Sequence, residues 1–221
     1  MSVKLIAYTQ WHPDFVRDTD IMAYCARVSN PDNQDNPNYY KLLSRCREKK
    51  EWSVFEMCNL VMEVNTTRDM AHQIIRHSSL KPQEFSQRYA NVNDKKHVKR
   101  EGRLQDTKNR QSSTPLDPQN AHHEVLRKEF LNSQQRVWDV AIEEYNRNIA
   151  FGFAKECCRV LLPEGLCATR MYLNGNVRDW YHYCQVRMDK STQKEHQDIA
   201  MEVCRLLYGL YPYLNKMEAA E

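Results

Sequence analysis

The residues best suited to chemistry are gathered in one stretch, Arg76-His77-Ser78-Ser79-Leu80-Lys81-Pro82-Gln83-Glu84-Phe85-Ser86-Gln87-Arg88-Tyr89. Arginines, a serine hydroxyl and a glutamate stand close together here. Arginine presents a fork of donors that matches phosphate, and a hydroxyl adds another donor. The grouping suits a phosphate monoester. A solvated basic helix end followed by a turn is the plainer alternative. Ser86 is a candidate catalytic residue, but a serine nucleophile needs a base, and no histidine in the turn is placed to activate it. As a phosphate donor it needs no activation.

Other chemical signatures are missing. The chain has no C-x-x-C, no zinc-finger spacing, no H-E-x-x-H, no P-loop and no G-x-G-x-x-G. Its five glycines are too few for a glycine-rich phosphate loop. No metal is expected. The eight cysteines include Cys157 and Cys158, side by side next to Arg159. In a chain of this length without a secretory signal, free buried thiols are expected rather than disulfides.

The elements that must position these groups follow from apolar spacing. Val3–Thr9 reads as a strand, and Asp18–Val28 and Tyr39–Lys49 read as helices separated by an Asn/Asp/Pro loop over Asn30–Asn38. Cys58–Val64 alternates, with Leu60, Met62 and Val64 on one face. Thr66 or Thr67 then offers an N-cap for a helix to about Ser78, with Met70, Ala71, Ile74 and Ile75 as its buried stripe. The other side of that helix carries Gln73, Arg76 and His77. Pro82 is expected to make a turn. Asn91–Asn120 reads as a long polar loop, either a lid or an interface arm. Helices are expected over His122–Arg147, Lys155–Leu161, Asn176–Arg187 and Gln193–Leu210, with a strand at Cys167–Leu173. The class is α/β or α+β, with antiparallel strands flanked by long helices.

The chain has 221 residues, 41% apolar and 28% charged, and a formal net charge of +3. One domain over residues 1–221 is expected. The charge is too small to argue for nucleic acid or membrane, and the basic stretch Lys95–Arg110 has little aromatic material for base stacking. No nucleic acid and no membrane are therefore expected as partners. No apolar run approaches the roughly 20 residues needed to cross a bilayer. The N-terminus lacks the apolar core of a secretory signal, so a cytoplasmic protein is expected.

Four segments together resemble the flavin-dependent thymidylate synthases. The family signature is Arg-His-Arg, seven residues, Ser, one residue, Arg-Tyr, and it is met at Arg76, His77, Ser86, Arg88 and Tyr89. Arg159 stands shortly before Leu162-Pro163, as in the family. Asn176, Arg178, His182 and Arg187 keep its helical spacing. Ser53-Val54-Phe55-Glu56 matches its polar residue, any residue, Phe, Glu. The matches fall in the family's order across about residues 51 to 196.

This resemblance implies reductive methylation at C5 of dUMP, with FAD as cofactor and NADPH and methylenetetrahydrofolate as co-substrates. It implies that Gln73, Glu84, Ser86 and Arg88 line the nucleotide site, with Arg159 reaching in from another subunit. Arg187 is implied at the pyrimidine base, where a fixed guanidinium stabilises charge pushed onto the ring carbonyls. The implied FAD contacts are Ser53, Glu56, Arg76, His77, Ser78, Asn176, Arg178 and His182. A homotetramer with sites built between subunits is implied as well.

The sequence departs from the family at three places. Ser78 replaces the third residue of Arg-His-Arg, Lys81 stands where a serine is usual, and Glu51 stands where several members have histidine. All three lie on the cofactor side, while the phosphate residues are intact. The expectation is that nucleotide binding is kept while flavin or one-carbon chemistry is open to change. The alternatives are an enzyme that installs another C5 group on a uracil or cytosine nucleotide, and a non-catalytic nucleotide-binding homologue.

Overall fold

The computed structural model describes residues 1–92 and 97–215. A four-stranded sheet runs in the order β1-β2-β6-β3, with β1 at Ser2–Tyr8, β2 at Asn59–Thr67, β3 at Lys81–Glu84 and β6 at Ala168–Asn176. Every pairing in it is antiparallel, as expected. The central pair β2–β6 is in register from Asn59↔Asn176 to Thr67↔Ala168. Strand alternation puts Leu60, Met62 and Val64 of β2 on the same buried face as Met171 and Leu173 of β6. On the opposite face Glu63 accepts the Tyr172 hydroxyl at 2.9 Å and the Asn65 amide at 2.8 Å.

The helices are α1 (Ile21–Ala26), α2 (Tyr40–Glu48), α3 (Arg68–Ile75), α4 (Ala121–Ala150), α5 (Lys155–Cys158), α6 (Val177–Arg187) and α7 (Lys194–Leu210). The core joins the apolar sheet face to α6 and α7 through Trp180, Tyr183, Val203 and Leu207. A second apolar cluster lies under α4, around Trp138, Tyr145, Leu162 and Leu166. Among the described residues no helix is long and apolar enough to cross a membrane.

Several sequence expectations need correction. The helix after β2 ends at Ile75, not Ser78, and Ile75 is exposed rather than buried. The chain leaves α3 through a turn in which the Leu80 amide donates to the His77 carbonyl at 3.1 Å. Thr67 takes the N-cap position, but its hydroxyl donates to Asp69 at 2.6 Å instead of capping the helix. Pro82 makes no turn. It sits in edge strand β3, where only one side of the strand pairs and its missing N–H does little harm. The expected loop Asn91–Asn120 contains a two-stranded ribbon, β4 (Arg103–Gln105) with β5 (Ser113–Pro115). Lys95 and Lys96 of the basic stretch lie outside the described residues. The other elements match to within a few residues. All eight cysteines are free, and six of them are buried.

Candidate active site

Two helix ends bring the cofactor-side residues together. Helix α2 closes in a Schellman motif, in which the Lys50 amide donates to the Arg47 carbonyl and the Glu51 amide to the Cys46 carbonyl. This requires Lys50 at the left-handed position, and its φ is 60°. The short 3-10 helix Trp52–Glu56 follows at once and carries Ser53 and Glu56. At the end of β6, Asn176 starts α6 with a capping box: its side chain accepts the Asp179 N–H at 2.8 Å, and the Asp179 carboxylate accepts the Asn176 N–H at 3.2 Å.

These ends enclose a cavity of about 510 Å³ between Lys50, Trp52, Ser79, Arg178, Tyr181 and His182. Arg178 pairs with Glu56 across its mouth. Both partners are well exposed, so the pair contributes little and a ligand displaces it easily. The Ser79 hydroxyl is buried in the cavity wall without a hydrogen-bond partner. Flat aromatic walls, an orphaned hydroxyl and an exchangeable arginine fit a planar polar ring system such as a flavin. The Lys81 ammonium donates to the Ser78 carbonyl at 3.1 Å. A cation thus stands beside Ser78, the position that departs from the Arg-His-Arg signature.

Next to this cavity, His77 packs on His182 with ring centroids 5.4 Å apart and edge-on against Tyr183 at 5.4 Å. Burial lowers the His77 pKa below the ordinary imidazole value, and the nearby His182 and Arg187 lower it further. Arg187, at the last turn of α6, is half-buried, and its Nε is buried with no partner. A guanidinium N–H left unpaired in this way is available to a ligand, since leaving it bare costs about 1–3 kcal/mol.

The nucleotide-side residues gather at a second place. Ser86 Oγ accepts the Arg88 backbone N–H at 3.3 Å, and among the described residues no histidine bonds to it. Arg88 Nε donates to Glu156 at 3.0 Å, and Lys155 Nζ donates to the Tyr89 carbonyl at 3.1 Å. These bonds hold the Ser86–Tyr89 turn against the segment that bears Arg159. Arg159 lines a cavity of about 420 Å³ with Arg68, Gln87, Glu156 and Glu164. Glu84 is committed elsewhere: it pairs with Arg68 at 3.1 Å and accepts the Thr169 hydroxyl at 2.8 Å. Ser53, Arg76, Arg88 and Arg159 are all exposed within the single chain.

Gln73 belongs to a network that sequence reasoning missed. Its Nε2 donates to Gln193 Oε1 at 2.8 Å, and Gln193 Nε2 donates to Glu195 at 3.0 Å. Both Glu195 carboxylate oxygens accept from Arg103 Nη2, at 2.7 and 2.8 Å. On the other side of Gln73 lies His196, which is fully buried. A signal for His196 was present. It falls on the buried face of α7 with Ile199, Ala200 and Val203, and a histidine on an apolar stripe has to be satisfied by buried partners.

The comparisons with known proteins agree with this geometry. The family profile described as thymidylate synthase complementing protein matches residues 4–213. The flavin-dependent thymidylate synthase of Synechocystis sp. is 43% identical over 218 residues, which cover 96% of each chain. The probable flavin-dependent thymidylate synthase of Paramecium bursaria Chlorella virus 1 is 37% identical over 98% of each chain. A crystal structure of the UMP/dUMP methylase PolB from Streptomyces cacaoi, bound with 5-Br dUMP, shares the fold with a TM-score of 0.77 at 21% identity, covering 96% of this chain and 92% of that one. With its signature residues placed on this fold and these identities over nearly the whole length, the chain belongs to the thymidylate synthase complementing proteins, the family of the flavin-dependent thymidylate synthases.

Proposed function

We propose that this chain is a flavin-dependent thymidylate synthase that methylates C5 of dUMP, with FAD as cofactor and NADPH and methylenetetrahydrofolate as co-substrates. The observation that carries the reading is the unpartnered Nε of Arg187, whose charge acts on His77, which in turn packs on His182 in the wall of the aromatic-lined cavity.

Bound FAD supplies the reducing equivalents for the methyl transfer. The residues of this chain bind and orient. Ser53, Glu56, Arg76, His77, Ser78, Asn176, Arg178 and His182 are the residues that would hold the cofactor. Asn176 spends its side-chain oxygen on the α6 cap, so its amide N–H groups are what it offers. Ser86, Arg88 and the Arg159 of a neighbouring subunit take the nucleotide phosphate. Arg88 and Glu156 are each more than half exposed, so their ion pair is worth at most about 1 kcal/mol, and a phosphate dianion replaces it. Arg187 stands at the base and stabilises charge that develops on the ring carbonyls.

The enzyme works as a cytoplasmic homotetramer of one-domain chains. Support for assembly comes from α4, which exposes Val125, Phe130, Val137 and Val140, and from the adjacent Phe151, Phe153 and Val160. Of these, Val137 and Val140 line a groove with Leu161, and exposed apolar grooves of this kind mark interaction surfaces.

NADPH consumption tests the reading. It is expected to require FAD, dUMP and methylenetetrahydrofolate together, and Arg187→Ala is expected to abolish it. Consumption independent of dUMP, or unaffected by Arg187→Ala, overturns the assignment.

A further inference from the structure

We propose that His196 is a positioning residue of the nucleotide site: its Nδ1–H holds the side-chain oxygen of Gln73, so that Gln73 offers a bound nucleotide only an N–H donor. The inference rests on the proposed role of Gln73 in nucleotide binding.

The direction of every bond in the network is fixed from one end. The Glu195 carboxylate accepts from Arg103 and from Gln193 Nε2. Gln193 therefore presents its oxygen to Gln73, which donates to it at 2.8 Å. That leaves the Gln73 oxygen facing His196 Nδ1 at 3.4 Å, so Nδ1 carries the hydrogen. His196 Nε2 is then bare and takes the Tyr183 hydroxyl at 3.1 Å. Burial pushes the Tyr183 phenol up, which keeps it a protonated donor. Burial, Arg187 and His77 together bring the His196 pKa down to about 4, so the imidazole is neutral and keeps this single tautomer near pH 7.

One N–H of Gln73 remains once the chain is complete. It recognises an acceptor, either a phosphate oxygen or a pyrimidine carbonyl, and it cannot serve an amino group. Without His196 the amide is free to rotate and present either end. His196 is fully buried, and its influence on the nucleotide passes through Gln73.

The test compares three variants with the wild-type holoenzyme, using dUMP as the probe. Asn places an N–H donor near the position of Nδ1, whereas Gln places its amide nearer Nε2. His196→Asn is expected to keep the KM for dUMP within about twofold, while His196→Gln and His196→Leu raise it about tenfold. The kcat at saturating dUMP and the affinity for FAD are expected to stay near wild type in all three. Equal KM values for the Asn and Gln variants, or an unchanged KM in His196→Leu, overturn the proposal. Should His196→Leu fail to fold, the Asn–Gln comparison still decides. A wild-type protein that binds no dUMP removes the nucleotide reading itself, and this inference with it.

Discussion

At the scale of residues, the site was half legible in the sequence. Arg187 and His77 are singled out by the family resemblance and Ser86 by its place in the polar turn, and the structure sets His77 close enough to Arg187 for the guanidinium to lower its pKa. The Gln73–Gln193–Glu195–Arg103 chain was not legible, because its members are far apart in sequence and each is an ordinary polar residue by itself. Replacing Arg187 by Lys should lower kcat for thymidylate formation about 10²-fold, because a point charge does not reproduce a fixed planar donor. Stopped-flow measurement of methyl transfer checks this. His196 also makes a pH prediction. The groups around it are His77 and Gln73 at the end of α3, Arg187 and Tyr183 from α6, and Glu195 from α7. Its folded pKa of about 4 lies below the ordinary 6.5, so between these values the unfolded chain binds the extra proton. Its contribution is complete above about pH 6.5 and is lost as pH falls toward 4, on the order of 3 kcal/mol in all. Urea unfolding at pH 7 and pH 5 should show this loss in the wild type and much less of it in His196→Asn.

At the scale of elements, strand and helix identities followed from periodicity, because β2 alternates cleanly and α7 keeps its 3–4 spacing over several turns. The ends and the short pieces did not follow. The stop of α3 at Ile75 leaves no mark in the apolar spacing, and β4 and β5 have three residues each, too few to show a period. Two backbone positions here invite substitution. Lys50→Gly should stabilise the protein by about 0.5–1 kcal/mol, because glycine adopts the left-handed C′ position without penalty. A higher midpoint in thermal unfolding checks this. Gly175→Ala should destabilise by about 1–3 kcal/mol: its Cβ would stand 2.5 Å from Leu80 Cδ2 and 3.3 Å from Trp180 Nε1, both in the core. The same measurement should show the opposite shift.

At the scale of the whole molecule, α4 explains why the single chain looks incomplete. It is 30 residues long, yet only Gln134, Trp138 and Tyr145 are buried along it. Its exposed residues Val137 and Val140 lie close to Leu161, in the segment that carries Arg159, so the proposed assembly and the proposed completion of the site would draw on one region. Val140→Asp should weaken the oligomer, seen as a lower mass in analytical ultracentrifugation, and should raise the KM for dUMP as the phosphate site loses its neighbouring arginine. The proposed assembly was not readable from periodicity, because an exposed apolar helix face and a core-facing one have the same pattern.

The measurement that bears most directly on the account is the mass of the nucleotide formed from dUMP by the FAD-loaded protein with NADPH and methylenetetrahydrofolate. A gain of one methyl group at C5, in the presence of Ser78, Lys81 and Glu51 as they stand, is the predicted result. Unchanged dUMP, or a product carrying a different group, would contradict it.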